Sequence, residues 1–436
     1  VEYKQGADAH DPVLHVISVA RVLGETEPFG VGVARSGSSV LRRKGRSPRT
    51  WRHDECMTQT NSNPASLTNT LLDGADIAPL FTPFTLSGLE LSNRFVMAPM
   101  TRAFSPGGVP GADVVEYYRR RASHLGLIVT EGTYIDHQSA GSSDRVPLMY
   151  GDAPVAGWKN VVDAVHAEGG RIFPQIWHLG LGRREGSAPH PDAPIIGPSG
   201  ISPSGSPRGI AASLADIDEI IASFARAAAT AKEIGFDGVE LHGAHGYLLD
   251  AFLWSRTNQR TDPYGGSIAS RARLGAEVVA AVRDAVGPDY PIVFRYSQWK
   301  GSDFDARLAD TPDELNTVLS PLVDAGVSAF HVSTRRYWLP AFDGSDRTLA
   351  GWTKSLTGLP VVALGSIGVT SPFMESDSAV PSLSLDKLMG LFERGEFDLV
   401  GLGRAVLSDP EWTRKLRGGH LDEIRAYDKN HEAELY

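Results

Sequence analysis

Cysteine is almost missing from this chain. Cys56 is the only one in 436 residues, which excludes a disulfide framework and any cysteine-ligated metal or iron–sulfur cluster. Long hydrophobic runs are missing too. No stretch approaches the ~20 apolar residues of a membrane-spanning helix, and no secretory pattern opens the chain, so a cytoplasmic enzyme is the expectation. Positive charge is in deficit: the formal net charge of -10 argues against a general nucleic-acid binder. No G-x-G-x-x-G lies between a strand pattern and a helix pattern, so a Rossmann dinucleotide domain is not expected. What is there, 42% hydrophobic and 22% charged residues, has the balance of a soluble globular enzyme.

The chain divides at about residue 76. Residues 1–76 read as an N-terminal extension with no sustained apolar periodicity, and residues 77–436 as one catalytic domain. Between Arg35 and Arg52 stand Arg42, Arg43, Lys44, Arg46 and Arg49 with no acidic residue. Three readings remain open for that segment: a basic binding arm, a disordered tail, or an upstream extension ahead of a natural start at Met57.

From Leu80 onward the pattern becomes regular. Short apolar, β-rich runs appear at 94–100, 125–132, 171–178, 237–243, 291–297, 329–334, 360–365 and 398–404. Helical patterns separate most of them, at 113–123, 157–168, 214–234, 267–286, 311–325, 384–394 and 410–416. Ser213 is a candidate N-cap of the longest, and Gly235 its stop. The helix around 349–356 is weakly written. Alternation of strands and helices implies a parallel sheet, and eight strand signals favour a single α/β (β/α)₈ TIM barrel over an open sheet.

A barrel of this kind carries its chemistry at the C-terminal ends of its strands. Read there, the sequence offers Pro99, Met100 and Thr101; Gly132; Gln175 with Trp177; His242, His245 and Tyr247; Arg295; Ser333; Gly365 and Ser366; and Gly403 and Arg404. The stretch Glu240-Leu-His-Gly-Ala-His-Gly-Tyr247 gathers two imidazoles and a phenol where a strand is expected to open into a loop. Three hydrogen-bond donors there suit polarising a substrate oxygen and delivering a proton. The turns Gly365-Ser-Ile-Gly368 and Gly401-Leu-Gly-Arg404 follow the seventh and eighth strands, the usual phosphate cradle of this fold, and supply exposed backbone N–H groups and a guanidinium. The spacing of His242 and His245, on a strand exit with no third ligand, argues against zinc.

These motifs, taken in order, resemble the Old Yellow Enzyme family of flavin-dependent ene-reductases. The resemblance runs from Ile77 to Leu421. It rests on Leu80-Phe-Thr-Pro-Phe84, Asn93-Arg-Phe-Val-Met-Ala-Pro-Met-Thr-Arg102, Gly126-Leu-Ile-Val-Thr-Glu-Gly132, Gln175-Ile-Trp-His178, Gly238-Val-Glu-Leu-His-Gly-Ala-His-Gly-Tyr-Leu-Leu249, Arg260-Thr-Asp-Pro-Tyr-Gly-Gly-Ser267 and Gly401-Leu-Gly-Arg404. It implies non-covalent FMN over the barrel mouth and NADH or NADPH as hydride donor. On the matched positions, Pro99 and Met100 line the flavin and Thr101 bonds its C4 carbonyl. Gly132 and Gln175 meet its polar edge, and Arg295 faces N1 and C2=O. Gly365, Ser366, Gly403 and Arg404 hold the phosphate, Arg404 being the only charged group expected there. His242 and His245 polarise an α,β-unsaturated carbonyl or nitro compound, and Tyr247 protonates its α-carbon. The substrate is a small molecule, and neither nucleic acid nor membrane is an expected partner.

Two other functions remain compatible with the residues: a non-redox barrel enzyme acting on a phosphorylated metabolite, with Lys300 the nearest Schiff-base candidate, and a flavin-binding redox sensor without efficient turnover. Trp177 reads equally as core or pocket wall. Tyr337 and Trp338, after the sixth strand, read equally as a structural anchor or a cover over the pocket. His166 and His178 read as structural or exposed.

Overall fold

The computed structural model describes residues 74–369 and 385–436. The basic segment and the proposed start at Met57 lie outside the described residues.

Eight parallel strands close into a barrel in the order β3 (Phe95–Met97), β4 (Leu127–Tyr134), β5 (Ile172–Trp177), β8 (Val239–His245), β9 (Ile292–Lys300), β10 (Ala329–Ser333), β11 (Val361–Leu364) and β12 (Leu399–Leu402). All eight sequence signals are strands, and the (β/α)₈ expectation holds. The helices that cross between them are α1 (Ala112–Ala122), α2 (Asp152–Ala167), α3 (Leu214–Glu233), α5 (Ile268–Val286), α6 (Pro312–Asp324), α7 (Leu349–Thr357) and α8 (Asp386–Glu393), with α10 (Trp412–Gly418) after the last strand. Among the described residues, no helix is long and apolar enough to cross a membrane.

Local chemistry explains the boundaries. Ser213 Oγ accepts from the Asp216 N–H at 3.1 Å while Asp216 Oδ2 accepts from the Ser213 N–H at 2.8 Å, a reciprocal capping box that starts α3. Gly235 (φ +99°) ends it. α7, weak in the sequence, is secured from outside its own pattern: Thr348 Oγ1 caps the Gly351 N–H at 3.1 Å and itself donates to Glu396 Oε2 at 2.6 Å.

Several short elements escaped the sequence reading, among them a two-stranded sheet of β6 (Ile196–Gly197) and β7 (Ile210–Ala211) outside the barrel. A hairpin of β1 (Phe84–Leu86) and β2 (Leu89–Leu91) packs on the apolar interior layer formed by Val96, Leu127, Val129, Phe173, Val293, Ala329, Val362 and Leu399. The N-terminal end of the barrel is thereby plugged with hydrocarbon, leaving the other mouth for chemistry. The short helix α4 (Leu248–Leu253) begins immediately after Tyr247.

Candidate functional site

Side chains alternate across a strand, so residues two apart on a barrel strand share the interior. Above the apolar layer this period puts Gln175, Glu240, Arg295 and His331 in the next layer, and Trp177, His242 and Ser333 at the mouth. Parallel register aligns them: Gln175 pairs with Glu240, and Arg295 with both His242 and His331.

β8 does not open into a loop before its histidines. It continues through His245, and the loop expected there begins one residue later. The reason is a register shift against β9: Gly243 pairs with Tyr296 and His245 with Lys300, so β9 bulges at 297–299 and keeps pace. Gly243 lacks a side chain because a Cβ there would run into the Phe294 ring. His245 has φ +66° and Gly246 φ +88°. This corner turns the chain so that Tyr247 falls back over β5. The His245 amide donates to Ser297 Oγ at 3.1 Å, and the Gly246 amide to Asp250 Oδ2 at 2.7 Å, which hold the corner.

The three candidate catalytic side chains meet as a result. The rings of His242 and Tyr247 stand edge to face at 5.0 Å, and those of His242 and His245 at 5.3 Å. Trp177 is buried, stacks on His242 at 5.8 Å and meets Tyr247 edge-on at 4.8 Å. Gly132 lies beneath it, where any Cβ would collide with the indole. On the far side Trp299 stacks on His245 at 4.3 Å. Its place on the bulge is what brings it there.

Electrostatics sets the protonation states. Burial holds His242 and His245 well below the usual imidazole range, and the Arg295 cation adds to this for both. Both rings are therefore neutral near pH 7. His242 Nδ1 accepts from the Ala244 N–H at 3.3 Å, which leaves the proton on Nε2 as a donor. His245 Nε2 lies 2.9 Å from Ser333 Oγ. Burial raises the Tyr247 phenol, so it stays protonated and able to give a proton.

Arg295 is 5% exposed, and two of its guanidinium nitrogens, Nε and Nη1, have no hydrogen-bond partner. Its Nη2 donates weakly to Ser333 Oγ at 3.4 Å, and Glu240 stands 4.0 Å away. A buried guanidinium left this incomplete is costly, which makes Arg295 a candidate to meet an acceptor from outside the chain. Gln175 Nε2 donates to Glu240 Oε1 at 2.8 Å. Lys300, the Schiff-base candidate, is fully buried with its amine 2.6 Å from Asp250 Oδ1. That contact ties the amine to a carboxylate on α4.

The remaining flavin candidates lie at the same end of the barrel. Pro99, Met100 and Thr101 lie half-buried where β3 ends, and Gly403 opens the short helix α9 (Arg404–Ser408) beside Met100, whose sulfur a Cβ there would meet at an ordinary contact distance of 3.6 Å. The turn after Thr101 is clamped by Glu131, whose Oε2 accepts from the Arg102 and Ala103 amides at 2.9 and 3.0 Å. β11 and β12 are hydrogen-bonded neighbours, so the Gly365–Ser366 and Gly403–Arg404 turns lie side by side. Arg404 is not the only cation there. Arg336 Nη1 donates to Ser366 Oγ at 3.1 Å, while Arg404 rests over the Tyr427 ring at 5.3 Å. The sequence reading missed Arg336 because it lies on the β10 loop, which folds onto the β11 turn through the Tyr337 N–H and Gly365 O at 3.2 Å. Tyr337 makes that contact, and Trp338 lies edge-on to the Tyr337 ring at 5.0 Å with Lys387 over its own ring at 5.7 Å. His178 is buried beside His137 at 3.0 Å, and His166 pairs with Asp237 at 2.9 Å; both serve structure.

Residues 79–423 match the model of the NADH:flavin oxidoreductase / NADH oxidase family, and the chain belongs to that family, the Old Yellow Enzymes. It is 35% identical to 12-oxophytodienoate reductase 7 of Oryza sativa over 78% of this chain and 88% of that one. It is 34% identical to an NADH oxidase of Thermoanaerobacter brockii over 79% of this chain, but spans only 52% of that longer protein. The structure of morphinone reductase in complex with tetrahydroNAD superposes with a TM-score of 0.68 at 29% identity, covering 81% of this chain and 93% of the other. The protein is an FMN-dependent NAD(P)H oxidoreductase.

Proposed function

We propose that this chain reduces activated C=C bonds of α,β-unsaturated carbonyl or nitro compounds, with His242, His245 and Tyr247 as its catalytic residues. The observation that carries the reading is the meeting of neutral His242 and protonated Tyr247 at the barrel mouth, registered directly with the unsatisfied Arg295. The relatives named as reductases of 12-oxophytodienoate and morphinone support the same substrate class.

The residues fit FMN. Arg295 offers two unpartnered donors to an electron-rich ring edge; Gly132 and Gly403 keep the walls beside Trp177 and Met100 free of side chain; Gly365, Ser366, Gly403, Arg404 and Arg336 supply the phosphate site. Bound FMN supplies the capacity to take hydride from NADH or NADPH and pass it to an alkene. The chain's part is polarisation, orientation and a proton. His242 Nε2–H and the His245 imidazole hold the substrate oxygen and draw electron density from the adjacent double bond. Neutral imidazoles donate without carrying a charge into a dry pocket. Tyr247, kept protonated by burial, gives its proton to the α-carbon. Trp177 and Trp299 flank the pair and fix the rings.

The test is steady-state turnover of 2-cyclohexenone with NADH and with NADPH by the purified yellow protein. Saturated ketone in step with nicotinamide oxidation is expected. FMN-loaded protein whose nicotinamide consumption ignores every alkene offered overturns the proposal.

A further inference from the structure

The barrel interior changes character abruptly between two layers. The lower one is hydrocarbon, with Phe173, Val293 and Ala329 on β5, β9 and β10. Two residues further along the same strands stand Gln175, Arg295 and His331, joined by Glu240 on β8. Glu240 is the hub. Its Oε1 accepts from Gln175 Nε2 at 2.8 Å and lies 4.0 Å from Arg295 Nη1, and its Oε2 is 2.7 Å from His331 Nδ1. Glu240 and His331 are fully buried. A buried carboxylate costs several kcal/mol unless paired, and the layer below shows that these strands pack well without one. The ion pair with Arg295 is too long to be a full structural bridge, and His331 Nε2 has no partner at all. Packing alone does not call for charge in this layer.

We infer that Glu240 is a positioning and tuning residue: its negative charge offsets the positive charge of Arg295 and thereby limits how far the site favours the reduced flavin. The inference rests on the reading that Arg295 faces the flavin. Two-electron reduction with uptake of one proton leaves one net negative charge on the ring system. Arg295 stabilises that charge and Glu240 opposes it, so together they set the midpoint potential between nicotinamide and alkene. Through the Gln175 bond the same carboxylate also aims an amide at the ring edge.

The test is spectroelectrochemistry of the full-length holoenzyme and its Glu240→Gln variant. Glutamine accepts from Gln175 and donates to neutral His331, whose unpartnered Nε2 takes up the ring proton. The hydrogen bonds survive and only the charge is lost. The expected result is an affinity for reduced over oxidised FMN raised about tenfold, a midpoint shift of about +30 mV, with faster flavin reduction by NAD(P)H and slower reoxidation by enone. An unchanged or lowered potential overturns the inference, since a merely structural carboxylate predicts no upward shift. If Glu240→Gln does not fold, Glu240→Asp draws the charge back from Arg295 and must show a smaller shift of the same sign; no shift there overturns it equally. Absence of FMN from the parent protein is a different result, and it sinks the flavin reading of Arg295 instead.

Discussion

Glu131 makes a quantitative prediction. It lies on β4, 1% exposed, and its Oε2 holds the Arg102 and Ala103 amides while its Oε1 has no partner. Ala103 sits at φ +56°, a conformation a non-glycine residue holds only when its surroundings enforce it. Burial pushes the Glu131 carboxyl up from 4.5 to about 7, against the pull of the two amides. The folded pKa is raised, so the contribution to stability is fully present below the unfolded value near 4.5 and is lost as pH rises through 7. At 1.36 kcal/mol per pH unit, ionising the buried group costs roughly 3 kcal/mol, a sizeable part of a typical folding free energy of ~5–15 kcal/mol. Glu131→Gln keeps an oxygen for the two amides and carries no charge. Urea unfolding of both holoproteins at pH 5, 6, 7 and 8 checks this. The variant is expected to overtake the parent as pH rises, the difference between them changing by roughly 2–3 kcal/mol. A difference that does not vary with pH refutes the reasoning.

Tyr247→Phe should leave flavin reduction by NAD(P)H nearly intact and slow enone reduction by about 10²–10⁴, the usual span for general-acid catalysis; rapid mixing of each half-reaction separates the two, and equal slowing of both rejects the proton-donor role. Replacing His242 and His245 with alanine should abolish the long-wavelength band that phenols give over oxidised flavin, whereas Tyr247→Phe keeps it. Arg404→Ala and Arg336→Ala should each weaken FMN binding, with a loss of roughly 10-fold per charged contact, and the double variant should lose more than either; fluorescence titration of the apoprotein reads this, and unchanged affinity in both single variants places the phosphate elsewhere.

Much of this was legible in the sequence because it follows from period and punctuation. Strands buried inside a closed barrel write themselves as short apolar runs, and capped helices such as α3 announce both ends. The polar strand ends His242, Gln175 and Arg295 stood out against those runs. What stayed hidden depends on contacts between distant segments. The bulge that carries β8 through His245 is a property of β9's length against β8, and it alone explains why Trp299 reaches the histidine. Arg336 touches Ser366 only because one loop folds over another. Glu131 reads as an ordinary strand-end carboxylate until the strained turn at Ala103 is placed against it. The hairpin plug escaped because three-residue strands leave too little alternation to see.

The most direct test of the account is a pair of anaerobic half-reactions on the parent and on the variant carrying alanine at both 242 and 245. In the parent, NADH or NADPH should bleach the flavin absorbance and 2-cyclohexenone should restore it. In the variant the bleaching should persist at near-parental rate while restoration by enone slows by about two orders of magnitude or more, the scale expected when preorganised donors to a developing oxyanion are removed. Restoration at the parental rate in the variant, or a parent flavin that no activated alkene reoxidises, contradicts the assignment of this site to alkene reduction.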